Sequence, residues 1–192
     1  MTYPMERMQL AAGAAPRLGG ATFSLRNRLA RLTWHLAWLV FAAWTPHQLQ
    51  PLRRALLVLF GARIHPTAMV RSSARIWWPA NLSLGARASL GPGVICYNVA
   101  PVTIGDFAIV SQRAHLCTGT HAIDDPAFPL VAKPIVIGRN AWVAAEAFVG
   151  PGVVIGDGAV LGARGVAVKD LQPGGVYVGN PACLRRLRAA GE

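Results

Sequence analysis

Acidic side chains are scarce in this sequence. Only 8 Asp and Glu stand against 19 Lys and Arg in 192 residues, which leaves a net charge of +11 although just 14% of residues are charged. That balance disfavours neutral partners and favours polyanionic, phosphorylated or membrane-surface ones. Cysteine is nearly absent too. Cys96, Cys117 and Cys183 are odd in number, widely spaced and without a C-x-x-C, which argues against a disulfide framework or a zinc site and fits a reducing cytoplasm. The apolar run from Leu36 to Trp44 falls far short of the roughly 20 residues that a membrane-crossing helix needs. The opening residues hold no apolar run ahead of a small-residue cleavage site, so export is not expected. Basic residues interleaved with stacking aromatics are missing from the later part of the chain, as are helix-turn-helix, zinc-finger and RNP patterns, so no nucleic-acid partner is expected.

Apolar residues are plentiful, at 53%, enough for one substantial core. Residues 1–20, rich in Ala, Gly and Pro and without periodicity, are expected to form a disordered arm. Residues 21–61 read as a helical segment. Leu25, Leu29, Leu32, Leu36, Leu39 and Ala43 recur at helical spacing, with Ser24 placed to cap the start and Pro46 just beyond the end. A second helix runs from near Pro51 to Gly61, with Leu52, Leu56, Leu59 and Phe60 toward one side. The leucine stripes are expected to pack on the rest of the chain or on a neighbouring subunit. The competing reading is peripheral membrane contact through residues 24–60, helped by Arg26, Arg28, Arg31, Arg53, Arg54 and the tryptophans.

From residue 62 the period changes to six. Ile64, Val70, Ile76 and Leu82 are six apart; after a two-residue shift Leu84 and Leu90 continue, and Ile104, Val110 and Leu116 restore the register. Ile137, Val143, Val149, Ile155, Leu161 and Ala167 then run unbroken. Six residues are too few for a helical repeat but suit a short strand and a tight corner, so that three repeats close one triangular coil and each aliphatic stacks on its counterpart eighteen residues on. Glycine at the corners would supply backbone conformations that a Cβ penalises. The fold class is therefore an all-β solenoid over residues 62–180 behind an N-terminal helical segment, with residues 181–192 as a basic C-terminal tail. Between Leu116 and Ile137 the rhythm stops, and residues 121–134 are expected to leave the coil as an extruded loop beginning at His121.

The repeats, with "CTGTH", "DPAFPL", "KPIVIG" and "GNPA", resemble the hexapeptide-repeat acyltransferases. The likeness covers about residues 50–188 and is strongest to the colanic-acid and exopolysaccharide biosynthesis acetyltransferases and to the maltose and galactoside O-acetyltransferase branch. The resemblance implies a left-handed parallel β-helix, assembled as a homotrimer with sites between subunits. It implies transfer of an acetyl group from acetyl-CoA to a hydroxyl of a saccharide acceptor, with no metal required; the cysteine usage is what suggests the cytoplasm, and the helical segment what suggests the inner face of the membrane. It also implies residue roles. His121 matches the general base, Asn98 an acceptor-contacting asparagine, and Trp142 a tryptophan lining the acyl-CoA and acceptor cleft. Ala145 and Ala163 match positions whose backbone lines the pantetheine channel, and Lys169 and Arg186 match basic residues near the CoA phosphates. Val168 stands where relatives carry a hydroxyl, and Ala145 where galactoside acetyltransferases carry Ser. Asp124 and Asp125 would orient the imidazole, contact substrate or form the loop. Two other readings compete: a non-catalytic β-helix scaffold, and a γ-type carbonic anhydrase, whose three-histidine metal site this histidine spacing does not match.

Overall fold

The computed structural model describes residues 21–189. The expected arm at 1–20 and the last residues of the tail lie outside the described residues.

Strands of two to four residues stack in parallel into the three faces of a triangular prism. The first face holds Arg63–Ile64, Leu82–Leu84, Val102–Ile104, Ile135–Ile137 and Val154–Ile155. The second begins at Met69–Val70 and includes Trp142–Val143; the third begins at Arg75–Ile76 and ends at Val166–Ala167. The chain completes five coils, and a sixth is begun by Leu171, bridged to Ile155, and by Gly175–Val178. The expected solenoid is present, and its core is the predicted stack. Val70, Leu90, Val110, Leu116, Val143, Val149, Ile155 and Leu161 are wholly buried. Along each strand the intervening residue points outward, as the two-residue side-chain period requires.

The register corrects the expected coil length. Ile137 sits on Ile155, eighteen residues on, but Ile64 sits on Leu84 and Leu84 on Ile104, twenty residues apart, and Ile104 sits on Ile137, thirty-three apart. All the excess falls at one corner. From first to second face and from second to third, the inward residues stay six apart in every full coil, as in Ile104, Val110 and Leu116. From third face back to first, the step is eight from Ile76 to Leu84, eight from Cys96 to Ile104, twenty-one from Leu116 to Ile137 and six from Val149 to Ile155. The two-residue shift in the early repeats and the long interruption are therefore events on one edge of the prism.

The corner glycines also act differently from expectation. A Cβ on Gly138 would stand 2.6 Å from the Asp157 backbone nitrogen, and one on Gly156 would stand 2.5 Å from that of Pro173, so these glycines allow neighbouring coils to approach. The left-handed backbone positions lie two residues further on and recur every six residues: Asn140, Glu146, Gly152, Gly158 and Arg164. Only two of those five are glycine.

Helix α1 (Leu25–Phe41) is capped by the Ser24 hydroxyl, which accepts from the Asn27 amide at 3.3 Å. It and α2 (Gln50–Leu59) close the open end of the solenoid. The first coil has no preceding coil to receive its backbone, so helix side chains supply the partners. The indoles of Trp34 and Trp38 donate to the carbonyls of Ile76 (2.8 Å) and Ser72 (3.2 Å). Arg54 donates to Ile64 at 3.0 Å, and the wholly buried Arg53 donates to the Val70 carbonyl at 2.9 Å and the Thr45 hydroxyl at 2.7 Å. Within its own chain, α1 packs through a different face from the leucine stripe. Trp34, Trp38 and Ala42 meet the solenoid, while Leu25, Leu29, Leu32, Leu36 and Leu39 are each more than half exposed. In α2, Leu56 and Leu57 are buried with Arg53, whereas Leu52 and Leu59 are exposed. At the other end, Cys183–Leu187 in the basic tail turns back antiparallel on Gly175–Val178 and finishes the second face.

Candidate functional site

The interruption is a two-stranded ribbon. The chain leaves the coil after Cys117, earlier than expected, and Gly119–His121 pairs antiparallel with Leu130–Ala132, His121 opposite Leu130. The ribbon lies over the preceding turn of the same edge. Leu130 and Ala132 are buried with Val99 and Ala100, and the Thr118 hydroxyl donates to the Tyr97 carbonyl (2.9 Å) while accepting from the Ala100 amide (3.0 Å). Gly119 is where the ribbon crosses Tyr97: a Cβ there would come within 2.9 Å of the tyrosine ring.

His121 stands half-buried at the end of this ribbon, its ring stacked on that of Phe128 with centroids 4.5 Å apart. Its Nδ1 is 2.9 Å from the Phe128 carbonyl oxygen. A carbonyl only accepts, so Nδ1 carries the proton and donates it, and in the neutral ring Nε2 keeps its lone pair. Phe128 reaches this position through a left-handed backbone, φ 49°, with its amide donating to the Asp125 carbonyl at 2.8 Å. The Asp125 carboxylate accepts from the Ala127 amide, a loop-forming bond, and Asp124 is exposed at the tip. Phe128 was not among the sequence-predicted site residues. Its signal is positional: it lies between Pro126 and Pro129 in the extruded segment.

The other expected residues are spread over the prism. Asn98 is on the same edge one coil earlier, but its side chain is wholly buried. Its amide nitrogen donates to the Trp78 carbonyl (2.7 Å) and its oxygen accepts from the Trp78 amide (3.0 Å), so the structure gives it a bracing position beneath the edge and leaves neither end facing a ligand. Lys169 is exposed on this edge, two coils after the ribbon. Lys133, at the base of the ribbon, packs its stem against Gly152 in the next coil. Trp142 lies on the second face, opposite that edge, 46% exposed, with its indole donating to the Ser111 hydroxyl at 2.9 Å. Ala145 and Ala163 stack one coil apart at the corner between second and third faces, where the Ala145 carbonyl accepts from the Arg164 amide. Arg186 is exposed on the final strand of the second face. Within one chain, His121, Asn98 and Lys169 share one edge, and Trp142, Ala145, Ala163 and Arg186 belong to another region of the surface.

The nearby titratable groups are shifted by burial. His115, outward on the third face with its ring edge-on to Phe148 at 5.4 Å, has its pKa lowered by desolvation. Burial raises the Cys117 thiol, partly offset by its bond to the Gly119 carbonyl, and pushes Cys96 in the core up to about 12. Neither thiol is poised as a nucleophile. Among the described residues, no three His, Cys, Asp or Glu side chains are grouped to hold a metal ion, and no helix is long and apolar enough to cross a membrane.

Residues 134–166 match the sequence profile of the family described as bacterial transferase hexapeptide (six repeats). The protein named "Putative colanic acid biosynthesis acetyltransferase WcaF" of Escherichia coli K12 is 42% identical over 162 residues, 84% of this chain and 88% of its own length. Among solved structures, a maltose O-acetyltransferase from Clostridium difficile 630 superposes with a TM-score of 0.77 at 24% identity, over 87% of this chain and 90% of its own. A hexapeptide-repeat acetyltransferase from Vibrio cholerae O1 biovar eltor, complexed with acetyl coenzyme A, does so with a TM-score of 0.73 at 22% identity, over 98% and 100%. Identity at that level along nearly the whole of a curated relative, on a coil built from inward aliphatics six residues apart, places this chain in the family of hexapeptide-repeat acetyltransferases, with their left-handed parallel β-helix.

Proposed function

We propose that the protein transfers an acetyl group from acetyl-CoA to a hydroxyl of a saccharide or saccharide precursor in exopolysaccharide biosynthesis, with His121 as general base. The observation that carries this is the bond from His121 Nδ1–H to the Phe128 carbonyl, which fixes the tautomer and turns Nε2 outward from that bond. A thioester is already activated, so the remaining need is to take a proton from a weakly acidic hydroxyl as it attacks. The acceptor O–H gives its proton to Nε2 while its oxygen bonds to the acetyl carbonyl carbon. The tetrahedral adduct then expels CoA thiolate, which recovers the proton from the imidazolium. No acyl-enzyme forms, in keeping with two thiols whose pKa values are raised.

The distribution of the remaining residues supports a site shared between subunits of a homotrimer. His121 and Trp142 lie on opposite sides of one prism, so a cleft holding both needs the edge of one subunit against the neighbour's second face or its adjoining corner. In that cleft Trp142 lines the wall, Ala145 and Ala163 present backbone to the pantetheine arm, Lys169 and Arg186 meet the CoA phosphates, and Asp124 at the ribbon tip contacts the sugar. Asn98 supports the edge from beneath. The kinship to a relative named for colanic acid and the acetyl coenzyme A complex of a fold neighbour support the acceptor class and the donor. Contact of residues 24–60 with the inner face of the membrane belongs to the same reading, supported by the exposed leucines and arginines of the helical segment. Free-thiol release from acetyl-CoA, measured with a panel of mono- and oligosaccharides, tests the proposal. Steady, sugar-dependent release of thiol is expected, and thiol release that no sugar stimulates contradicts the acceptor class.

A further inference from the structure

We infer that α1 is an in-plane anchor that seats its outward leucine stripe in an anionic lipid surface. This rests on the membrane contact proposed above and specifies its face and its lipid. Leu25, Leu29, Leu32, Leu36 and Leu39 follow one another at steps of four and three, which lines them along one side of the helix. Each is between 52% and 67% exposed. Trp34 and Trp38, spent on the solenoid, lie on the opposite side. The stripe therefore faces directly away from the body of its own chain, with the exposed Trp44 just past the helix end. A helix of 17 residues with this pattern lies along an interface; it does not cross one.

Charge selects the occupant. From residue 21 to residue 105 the sequence has nine arginines and no Asp or Glu, whereas residues 106–189 carry eight basic and six acidic side chains. Much of the charge imbalance thus sits in the helices and the first two coils. Some of these arginines are committed inward. Arg53 and Arg54 hold first-coil carbonyls, and Arg31 lies over the Trp77 ring at 3.8 Å and donates to Asn27. Arg26 and Arg28 remain exposed on the flanks of the stripe, placed for lipid phosphates. A second copy laying its own stripe there would bring arginine against arginine with no carboxylate in that half of the described chain to answer it. A phosphate-bearing bilayer supplies both the apolar layer and the negative charge.

The test uses the full-length oligomer and flotation with vesicles of phosphatidylcholine alone or with 30% phosphatidylglycerol, a composition set on the order of common anionic bilayers. Wild type is expected to float with the anionic vesicles and to remain unbound with the neutral ones. Leu29→Asp/Leu36→Asp is expected to abolish flotation, and Arg26→Gln/Arg28→Gln to weaken it about 30-fold, at roughly fivefold per arginine. Both variants should keep the oligomeric state and the acetyl-CoA turnover of wild type on a soluble acceptor, so failure here is separable from failure of the acetyltransferase reading. Wild type that ignores anionic vesicles, variants that float unchanged, or a leucine variant whose oligomer dissociates, which would assign the stripe to a second copy, each overturns the inference. Should the leucine variant fail to fold, the arginine variant alone decides: unchanged flotation overturns the inference.

Discussion

Two corners of the prism and the third obey different rules. At two of them the inward residues stay six apart in every full coil, so corner and core are one repeating unit. At the third the same step takes eight, eight, twenty-one and six residues in successive coils, yet the inward stack is unbroken across it, Ile104 on Ile137 as squarely as Ile137 on Ile155. A solenoid coil must return its chain to the same inward position but is indifferent to the path outside, because the stacking energy lies in the buried aliphatics. One edge can therefore carry a braced asparagine, the Tyr97 and Trp77 rings packed edge to face, and a ribbon ending in His121, while the other two hold the frame.

Breaking the frame should cost the most. Leu116 is wholly buried and is the last inward residue before the ribbon; Leu116→Ala is expected to lower stability by about 2–5 kcal/mol in chemical denaturation, with activity lost only as the fold is lost. A change on the irregular edge should do the reverse. Gly119→Ala would press a Cβ to 2.9 Å from the Tyr97 ring and lift the ribbon, so turnover should fall about tenfold, equivalent to ~1.4 kcal/mol of barrier, while the melting temperature stays within a degree or two of wild type. The smallest effect concerns His115 on the third face. Its folded pKa is lowered by burial, so below about pH 6.5 the unfolded chain binds more protons and stability falls as pH drops. His115→Gln should flatten that part of the stability profile and leave it unchanged at pH 8; an identical slope in the variant would show that other groups set it.

Much of the frame was legible in the sequence because a three-sided coil writes its inward residues at a fixed spacing, and nothing else short and polar competes for those positions. The break was legible for the same reason. Its mate was less so: the step from Leu82 to Leu84 looks like a slip in register until the pairing of Ile64 with Leu84 puts it on the edge of the ribbon. Helical spacing showed that α1 is two-sided without telling which side meets protein. Leucines advertise burial, but the tryptophans won the interface, since their indole N–H groups could satisfy the orphan carbonyls of the first coil. Asn98 was found by resemblance as an acceptor contact, and no sequence feature reveals that both ends of its amide are held by Trp78. Phe128 escaped because its contribution is a backbone carbonyl and a ring face, neither of which its residue type announces.

His121 is the residue on which the irregular edge is claimed to act, and its removal separates the two parts of the molecule most directly. The decisive measurement is steady-state acetyl-CoA turnover with a competent sugar acceptor for His121→Ala, alongside its oligomeric state, its affinity for CoA and its melting temperature. A fall in kcat of about 10²–10⁴-fold is expected, with assembly, CoA binding and stability retained. Turnover within a few-fold of wild type in an intact oligomer would contradict the role of His121 as general base.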